Sequence, residues 1–527
     1  MARKGSRKVR TGCLTCKARK VKCDEGKPHC NRCINTGRTC EGYNTSKPTP
    51  GLLWHRPRQL FQSVDDAGEG RALQFFCERT AQFLSGATDP YFWTHLVMQF
   101  SNFEPAVRHS VVAISSLYEQ FHIDEAAHSG VQLRDNSLAL RHYNAAIREL
   151  KTTDNQPLVL LVCILFICIE FLQSNKEEAI KHCKHGIALL EHVNYAWARE
   201  HLVPVFRRLS VFPFFFGQGP SDFPELVSVH EPLPMCFNSF ADAQTTMDGL
   251  MSRTLQVVRG GDVYRFGHLR HAPVPPELLA EQEEVRGLLN EWQVLFKSLD
   301  AKLSLPTTPT AEHYNLGMDF IQMMSRAILS VRLEICRIWL SIAFESNEMC
   351  FDSHLNGFQQ VLNACSAVNA ATPDTSRTLE AKRNPQFIFE TGFMPILQSV
   401  ASKCRDLGMR LEALRLLRVL GVPRENLWEV DQMYAISRRV IEIEHGVQLN
   451  EFGQPAAPPL FPGLPPDERR IRFTRTEPKA SMYVDINGKE THGWTVGFVM
   501  RDHQDAITIR TEFITAVEHS DLRITPS

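Results

Sequence analysis

Residues 13–40 read CLTCKARKVKCDEGKPHCNRCINTGRTC and hold six of the chain's 15 cysteines at regular spacing. The order C-x2-C-x6-C occurs twice, and adding 17 to each position of the first triplet gives the second. Such a repeat predicts two similar half-motifs related by pseudo-symmetry. The six positions are Cys13, Cys16, Cys23, Cys30, Cys33 and Cys40.

The cysteine count predicts two zinc ions that share ligands. The chain opens with the basic stretch MARKGSRKVR and no hydrophobic signal sequence, so we expect reduced thiols, which bind metal rather than form disulfides. Two tetrahedral zinc ions need eight coordination positions, so two of the six thiolates must bridge. By the symmetry of the repeat, Cys13 and Cys30 are the expected bridging pair. The remaining ligands are Cys16 with Cys23 on one zinc, and Cys33 with Cys40 on the other.

Metal binding and folding should coincide here, because so short a stretch has almost no apolar residues to bury. Other interpretations of the cysteines are a redox C-x2-C pair and a single four-cysteine zinc with two spare thiols. The redox pair leaves the second copy of the motif unexplained. A RING-like site needs eight ligands including histidine, and His29 is the only histidine in the window.

Positive charge is concentrated at the same end of the chain. Residues 1–50 hold 13 Lys or Arg against 3 Asp or Glu, whereas the remainder holds 45 against 56. This asymmetry predicts a polyanionic partner for the N-terminal part. Within it, the gap after Cys16 reads KARKVK, whereas the equivalent gap after Cys33 reads INTGRT. The first half-motif is therefore the predicted nucleic-acid surface.

The predicted nucleic-acid contacts lie in that basic gap and in the arm before it. A short helix starting near Cys16 would carry cations three residues apart as a basic rim, some for the major groove and others for phosphates. Because Arg and Lys suit the acceptors of guanine, a G-rich target is expected. The predicted DNA-binding residues are Arg10, Lys17, Arg19, Lys20 and Lys22.

Residues 10–43 resemble the fungal-type zinc binuclear-cluster DNA-binding domain in all six cysteines, the basic stretch and the pair Lys27-Pro28. The resemblance implies that the first and fourth cysteines bridge the metals and that the loop proline, Pro28, is often cis. It implies that Arg19 and Lys20 read bases, with CGG triplets as half-sites in double-stranded DNA.

The same resemblance implies a nuclear transcription factor of RNA polymerase II genes, with the transcription machinery as a partner. Relatives of this layout commonly control secondary-metabolite clusters, sugar or nitrogen use, or drug response, and the first is the favoured expectation. The predicted linker, residues 44–70, has no heptad repeat. Binding as a monomer and homodimerisation through the large domain both stay open.

The remainder of the chain predicts a large all-α regulatory domain over residues 71–450, because apolar residues recur at helical spacing. Residues 403–445 resemble the C-terminal part of the family's regulatory region. Long helices are predicted at about 323–344 and 395–420, and residues 203–235 suit a loop. The apolar run Leu158–Ile169 has 12 residues, which predicts a buried helix and no membrane span.

Three shorter segments complete the predicted organisation: a basic arm (1–12), a proline-rich linker (451–468) and a C-terminal extension (469–527) with a short β element. A hairpin is predicted there around Asn487-Gly488. Residues 212–216 are interpreted as packing aromatics rather than as a ligand cavity, and His182, Cys183 and His185 as structural residues. Cys163 and Cys168 are interpreted as core residues.

Two functional classes are alternatives to a DNA-binding regulator. An enzyme is disfavoured because the sequence has no GxSxG elbow, phosphate-binding loop, HExxH motif or strand followed by GxGxxG. A zinc module that binds RNA or protein is the alternative. Selective binding of CGG-containing duplex over RNA would separate it from the favoured function.

Overall fold

The computed structural model describes residues 11–43, 66–86, 91–123, 131–190, 192, 194–217, 219–224, 232–303, 315–371, 385–477, 481–484, 490–504 and 506–515. The chain forms two compact units, Met1–Ser63 and Val64–Ser527. The predicted order, a small cysteine-rich domain followed by a mostly helical one, is confirmed. None of the described helices has the length and apolarity needed to cross a bilayer.

Helices make up most of the described part of the second unit, and the first unit contains two short helices. The first unit contains α1 (Leu14–Ala18) and α2 (Asn31–Ile34). The second contains α3 (Ala67–Phe75), α4 (Ala81–Ser85), α5 (Val97–Phe103), α6 (Pro105–Ile123), α7 (Ser137–Leu150), α8 (Gln156–Leu172), α9 (Lys176–Leu190), α10 (Ala196–His201), α11 (Val203–Leu209), α12 (Phe212–Phe216), α13 (Phe240–Arg265), α14 (Pro276–Leu303), α15 (Asn315–Ser341), α16 (Leu355–Ala371), α17 (Met394–Lys403), α18 (Leu407–Leu420) and α19 (Val430–His445). A π-helical turn, Phe76–Thr80, joins α3 to α4, and another, Phe92–Leu96, precedes α5.

The most apolar helix, α8, lies in the core of the second unit. Asn155 begins it by accepting the N–H of Leu158 at 3.2 Å, and Pro157 occupies the first turn, where a helix needs no N–H. Every residue from Leu160 to Leu172 is buried, as expected for a helix that is apolar on all sides. The predicted buried helix is confirmed.

Two predictions about helices are wrong. The segment 203–235, predicted to be a loop, contains two short helices, α11 and α12, because Pro204 and Pro213 each occupy the first turn of one. The helix predicted at 395–420 is two helices, because the Asp406 side chain accepts the N–H of Met409 at 2.9 Å and begins α18.

The aromatics of α12 pack as predicted, with the Phe215 ring 5.7 Å from that of Trp339.

Strands form two sheets, of which only the second was predicted. A small sheet inside the helical unit joins β1 (Phe387–Ile388), β2 (Arg424–Glu425) and β3 (Trp428–Glu429). The second is an antiparallel sheet in which β6 (Glu490–Arg501) pairs with β4 (Phe473–Thr476), β5 (Ser481–Val484) and β7 (Ile507–Thr515). Its core packs on α19 through Trp494, Val496 and Phe498.

The predicted hairpin is present as β5 paired with β6, although its turn residues, Asn487 and Gly488, lie outside the described residues. The β element is larger than the predicted one, because β4 and β7 also pair with β6. Residues 451–468 lie within the second unit, where the Phe461 N–H donates to the carbonyl of His445 at 3.2 Å.

Glu425 of β2 is buried and should make stability depend on pH. Its carboxylate accepts the N–H of Gly392 at 2.9 Å, and burial raises its pKa to about 8. Because this folded-state pKa lies above the ordinary 4.5, its contribution to stability is full below that value and is lost as pH rises toward 8.

We expect the free energy of unfolding of the wild type, relative to Glu425→Gln, to fall by at least about 2 kcal/mol between about pH 5 and pH 8, since one pKa unit corresponds to about 1.4 kcal/mol. Urea unfolding at several pH values measures the difference. Glu477→Gln, at an exposed position, is the control and should give a curve parallel to the wild type. A pH-dependence curve for Glu425→Gln that is parallel to the wild-type curve would contradict the raised pKa of Glu425.

Candidate metal centre and nucleic-acid interface

The two cysteine triplets build the same local structure. Cys13 precedes α1 and its Sγ accepts the N–H of Cys16 at 3.3 Å, whereas Cys30 precedes α2 and its Sγ accepts the N–H of Cys33 at 3.4 Å. Both preceding residues have extended backbone. The sequence repeat of 17 residues is therefore a structural repeat, and equivalent sulfurs occupy equivalent positions.

All six predicted ligands are brought together in two overlapping groups of four sulfurs, and within each group all sulfurs lie within 4.8 Å of one another. The two groups share Cys13 and Cys30, the pair that the symmetry of the repeat assigns as bridging. The groups are Cys13, Cys16, Cys23 and Cys30, and Cys13, Cys30, Cys33 and Cys40.

Three sulfur separations within these two groups fit tetrahedral zinc. Cys30 Sγ lies 3.6 Å from Cys13 Sγ and 3.7 Å from Cys16 Sγ, and Cys13 Sγ lies 3.9 Å from Cys33 Sγ. Zinc–sulfur bonds of about 2.3 Å in tetrahedral geometry require sulfurs about 3.8 Å apart. The six thiols thus suit a cluster of two zinc ions. Zinc bound there would be a structural ion that holds this domain folded.

The acidity of the thiols differs around the cluster. Burial raises the pKa of Cys13 to about 12 and raises that of Cys30 further. Burial acts in the same direction on Cys23, but N–H groups of Cys13 and Glu25 outweigh it and lower the pKa to about 7. Because zinc binds thiolates, metal uptake must release protons from the thiols of Cys13 and Cys30.

The helix predicted to carry the basic rim is wrong, since α1 ends at Ala18. Lys20 has a φ of 55°, and the N–H groups of Lys20 and Val21 donate to the carbonyls of Lys17 and Cys16 at 3.1 Å each. These two bonds form a Schellman motif, which ends a helix with a left-handed residue. The chain must turn at this point to return Cys23 to the sulfur cluster.

The second repeat makes the same turn with a different residue at the left-handed position. Gly37, 17 positions after Lys20, has a φ of 67°, and the Arg38 N–H donates to the carbonyl of Cys33 at 3.0 Å. A side chain in this conformation costs roughly 1–2 kcal/mol, which glycine avoids. The first repeat therefore carries a lysine where backbone geometry favours glycine, and the same holds for Glu25, with a φ of 59°, against Gly42, with a φ of 76°.

The described candidate DNA contacts are all exposed and lie within six consecutive residues: Lys17, Arg19, Lys20 and Lys22. Only Lys17 is on the helix. The Arg19 guanidinium reaches the second half-motif, where its Nη1 lies 3.5 Å from Thr36 Oγ1. Arg10 lies outside the described residues. The equivalent gap of the second half-motif carries the single cation Arg38, as its sequence predicted.

Three residues that sequence reasoning missed support the cluster. Asp24 accepts the N–H groups of Asn31 and Arg32 at 2.9 Å each and so caps α2 from seven residues away. Tyr43 donates its hydroxyl to the carbonyl of Gly26 at 2.7 Å. A Cβ at Gly12 would lie 2.9 Å from Cys23 Cβ, so glycine permits the close approach. None of these contacts has a local sequence signature.

Asp24→Ala should weaken zinc retention, because it leaves two backbone N–H groups of α2 without their acceptor. Loss of such a cap costs about 1 kcal/mol, or about fivefold in affinity. Competition with a zinc chelator measures the effect. The control is Glu41→Ala, at the equivalent position of the second repeat. The hydrogen bond there is made by the backbone N–H of Glu41, which donates to Thr15 Oγ1 at 3.0 Å, so the substitution leaves it in place. Equal chelator sensitivity of the two variants would contradict the capping role.

Two family descriptions match parts of the chain. Residues 11–50 match the fungal Zn(2)-Cys(6) binuclear cluster domain, and residues 71–206 match the fungal specific transcription factor domain. The first match covers all six cysteines and the four described cations. The second covers only the N-terminal part of residues 71–450, the region that the sequence predicted to be regulatory.

Relatives include three fungal regulators. The aspercryptin biosynthesis cluster-specific transcription regulator of Emericella nidulans is 29% identical over 216 residues, which are 34% of each chain. The transcription regulator lscL of Purpureocillium lilacinum is 26% identical over 204 residues, 34% of this chain and 48% of that protein. Arginine metabolism regulation protein II of Saccharomyces cerevisiae is 45% identical over 56 residues, 11% of this chain and 6% of that protein. The matches thus span about a third and about half of the first two relatives.

Proposed function

We propose that this chain, which belongs to the fungal zinc binuclear-cluster transcription regulators, recognises CGG triplets in duplex DNA and regulates RNA polymerase II genes. Its matched domains and relatives are those of transcription regulators rather than of enzymes. The observation that carries the proposal is the group of exposed cations, Lys17 to Lys22, held beside two overlapping sulfur quartets.

The cations divide into two roles under this proposal. Arg19 and Lys20 read the guanine edges in the major groove, and Lys17, Lys22 and Arg10 contact phosphates. The exposure of Lys20 beside Arg19 supports its part.

The regulated genes are proposed from the relatives. The Emericella nidulans protein is named for the aspercryptin biosynthesis cluster, and its alignment to this chain covers 216 residues, far more than the cluster domain. We therefore propose a secondary-metabolite gene cluster as the target and the nucleus as the place of action. Genomic occupancy compared with transcript changes after deletion of the gene tests this part.

Lys20→Gly should weaken binding to a CGG duplex by about 1–3 kcal/mol, or roughly 5- to 150-fold, with little change on scrambled duplex. Glycine accepts the φ of 55° at this position, so the turn and the sulfur cluster should be retained. Titration of the full chain with both duplexes at physiological salt, together with zinc content, measures the effect.

The matched control is Lys17→Ala, which removes a proposed phosphate contact. It should weaken binding to both duplexes alike. The slope of log affinity against log salt concentration should fall in magnitude by about one, as expected for the loss of one phosphate contact. Equal losses on both duplexes for Lys20→Gly would remove its reading role. Tighter binding of RNA than of CGG duplex by the wild type would instead favour the RNA-binding alternative.

A further inference from the structure

Strand β7 lies at the edge of the second sheet. Gly493 of β6 pairs with Ser481 of β5 on one side and with Thr515 of β7 on the other, and residues 496–499 pair in the same way with β4 and β7. Within the part of the chain that the structure describes, no strand pairs with the outer side of β7. Such an edge presents a row of backbone N–H and C=O groups that can pair with another strand.

The two faces of β7 differ in what covers them, because alternate residues of a strand face opposite sides of the sheet. Glu512 and Ile514 face α19, where the Glu512 carboxylate lies 2.7 Å from Nε of Arg439 and Ile514 packs against the apolar core. Ile507 and Ile509 therefore lie on the other face, and they are 47% and 54% exposed. This end of β7 thus leaves apolar surface in water.

The edge lacks the features that usually prevent strand pairing. Natural edge strands are commonly protected by lysine, by proline or by a bulge. β7 contains no lysine or proline, and its nine residues pair with β6 in an unbroken register. Its first five residues, 507–511, are all exposed. A long, regular and partly apolar edge of this kind favours a partner strand.

The sequence of β7, ITIRTEFIT, is self-complementary about its central residue, Thr511. When two copies pair antiparallel about this residue, Arg510 of one lies opposite Glu512 of the other, and Ile509 lies opposite Phe513. Moving the centre by one residue places Arg510 opposite Arg510 or Glu512 opposite Glu512, and like charges directly opposite are destabilising. The charges therefore favour the register centred on Thr511.

Both charges also have partners within the chain, and these contacts are compatible with the pairing. Glu512 contacts Arg439 and Arg510, and the Arg510 side chain is about half exposed. A guanidinium has five N–H donors and a carboxylate accepts about four hydrogen bonds, so a contact across the copies adds to those already made. The register is selected mainly by the repulsion that the other two pairings would create.

We propose that β7 pairs antiparallel with β7 of a second copy of this chain, centred on Thr511, and joins the two sheets across a twofold axis. Because the linker 44–70 has no heptad repeat, a dimer of this chain needs a surface other than a coiled coil. β7 supplies one. The proposal is independent of DNA recognition, so its test uses no DNA.

Sedimentation equilibrium of the full zinc-loaded chain measures the dimer. The wild type should dimerise at about 100 µM chain, since small interfaces bind weakly. Arg510→Glu makes both charges of the edge negative and Glu512→Arg makes both positive, so each variant alone should dimerise at least about tenfold more weakly. An equal mixture should recover the dimer, because an acidic edge then meets a basic one.

Ile509→Lys tests the edge while leaving the contact between Arg439 and Glu512 in place. A lysine on an edge strand opposes pairing, so the dimer should weaken at least about tenfold. The control is Val294→Lys in α14, which also replaces an exposed apolar side chain and should dimerise like the wild type. Circular dichroism establishes that each variant is folded.

Three results would overturn the proposal. The first is a wild type that is monomeric at this concentration, and the second is a dimer that Ile509→Lys leaves unchanged. The third is a mixture of the two folded charge variants that dimerises no better than either alone. If Glu512→Arg does not fold, the comparison of Ile509→Lys with Val294→Lys decides.

Discussion

Cys13→Ser should release both zinc ions, because Cys13 Sγ belongs to both sulfur groups. Structural zinc sites contribute roughly 10–16 kcal/mol of binding free energy in small zinc domains, and the first unit has little apolar core to replace it. We therefore expect less than one zinc per chain by elemental analysis after dialysis against a mild chelator. Binding to CGG duplex should fall by more than about 100-fold.

Two cysteine controls make the result specific. Cys40 lies in one sulfur group, so Cys40→Ser should remove one zinc more readily than the other. Cys236 is exposed in the helical unit, and Cys236→Ser should retain two zinc ions. A Cys13→Ser chain that keeps one zinc at full occupancy would show that the sulfur is not shared.

The cluster could be predicted from the sequence because the number and spacing of the cysteines determine how they can bind zinc. Eight positions for six thiolates require two bridges, and the two sulfur groups share Cys13 and Cys30. The predicted basic helix is wrong because the three-residue spacing of the cations suggests a continuous helix. The chain instead turns at Lys20 and brings Cys23 back to the sulfur cluster. Gly37 was the available signal, since a glycine at the equivalent position of the repeat marks a left-handed residue at Lys20.

The helical unit was predicted in outline and missed in detail for a different reason. Helical spacing of apolar residues identifies buried helices such as α8, but short helices with a proline in the first turn, such as α11 and α12, resemble loops in sequence. Polar contacts between distant segments have no sequence pattern at all. Arg405, which resembled a family residue, is completely buried and contacts Glu348, 57 residues away.

That contact belongs to a buried ion-pair network centred on Glu444 of α19. The Glu444 carboxylate lies 2.8 Å from Nη1 of Arg410 and 3.3 Å from Nε of Arg405, and it accepts the N–H of Ile471 at 2.7 Å. The side chains of Glu444, Arg405 and Arg410 are 0% exposed. The network thus joins α18 and α19 to the segment that leads into β4.

Glu444→Gln should destabilise the second unit by about 3–5 kcal/mol, because it leaves Arg410 buried without its counter-charge and removes one of the two carboxylates that pair with Arg405. Glutamine keeps the size and the acceptor for Ile471, so the loss reports the charge. Urea unfolding followed by circular dichroism measures it. Glu412→Gln is the control, since the Glu412–Arg415 pair is 35% and 46% exposed and its loss should cost less than about 1 kcal/mol.

Two further measurements separate charge from packing in this network. Adding Arg410→Met to Glu444→Gln should restore part of the stability, because it removes the charge left unpaired. Burial raises the pKa of Glu444, but Arg405 and Arg410 outweigh it and the net shift is downward. The carboxylate's contribution is therefore present above the ordinary pKa of 4.5 and lost as pH falls below it, so the difference between wild type and Glu444→Gln should narrow in acid. A difference that stays constant from neutral pH to about pH 3 would mean that packing rather than charge makes Glu444 important.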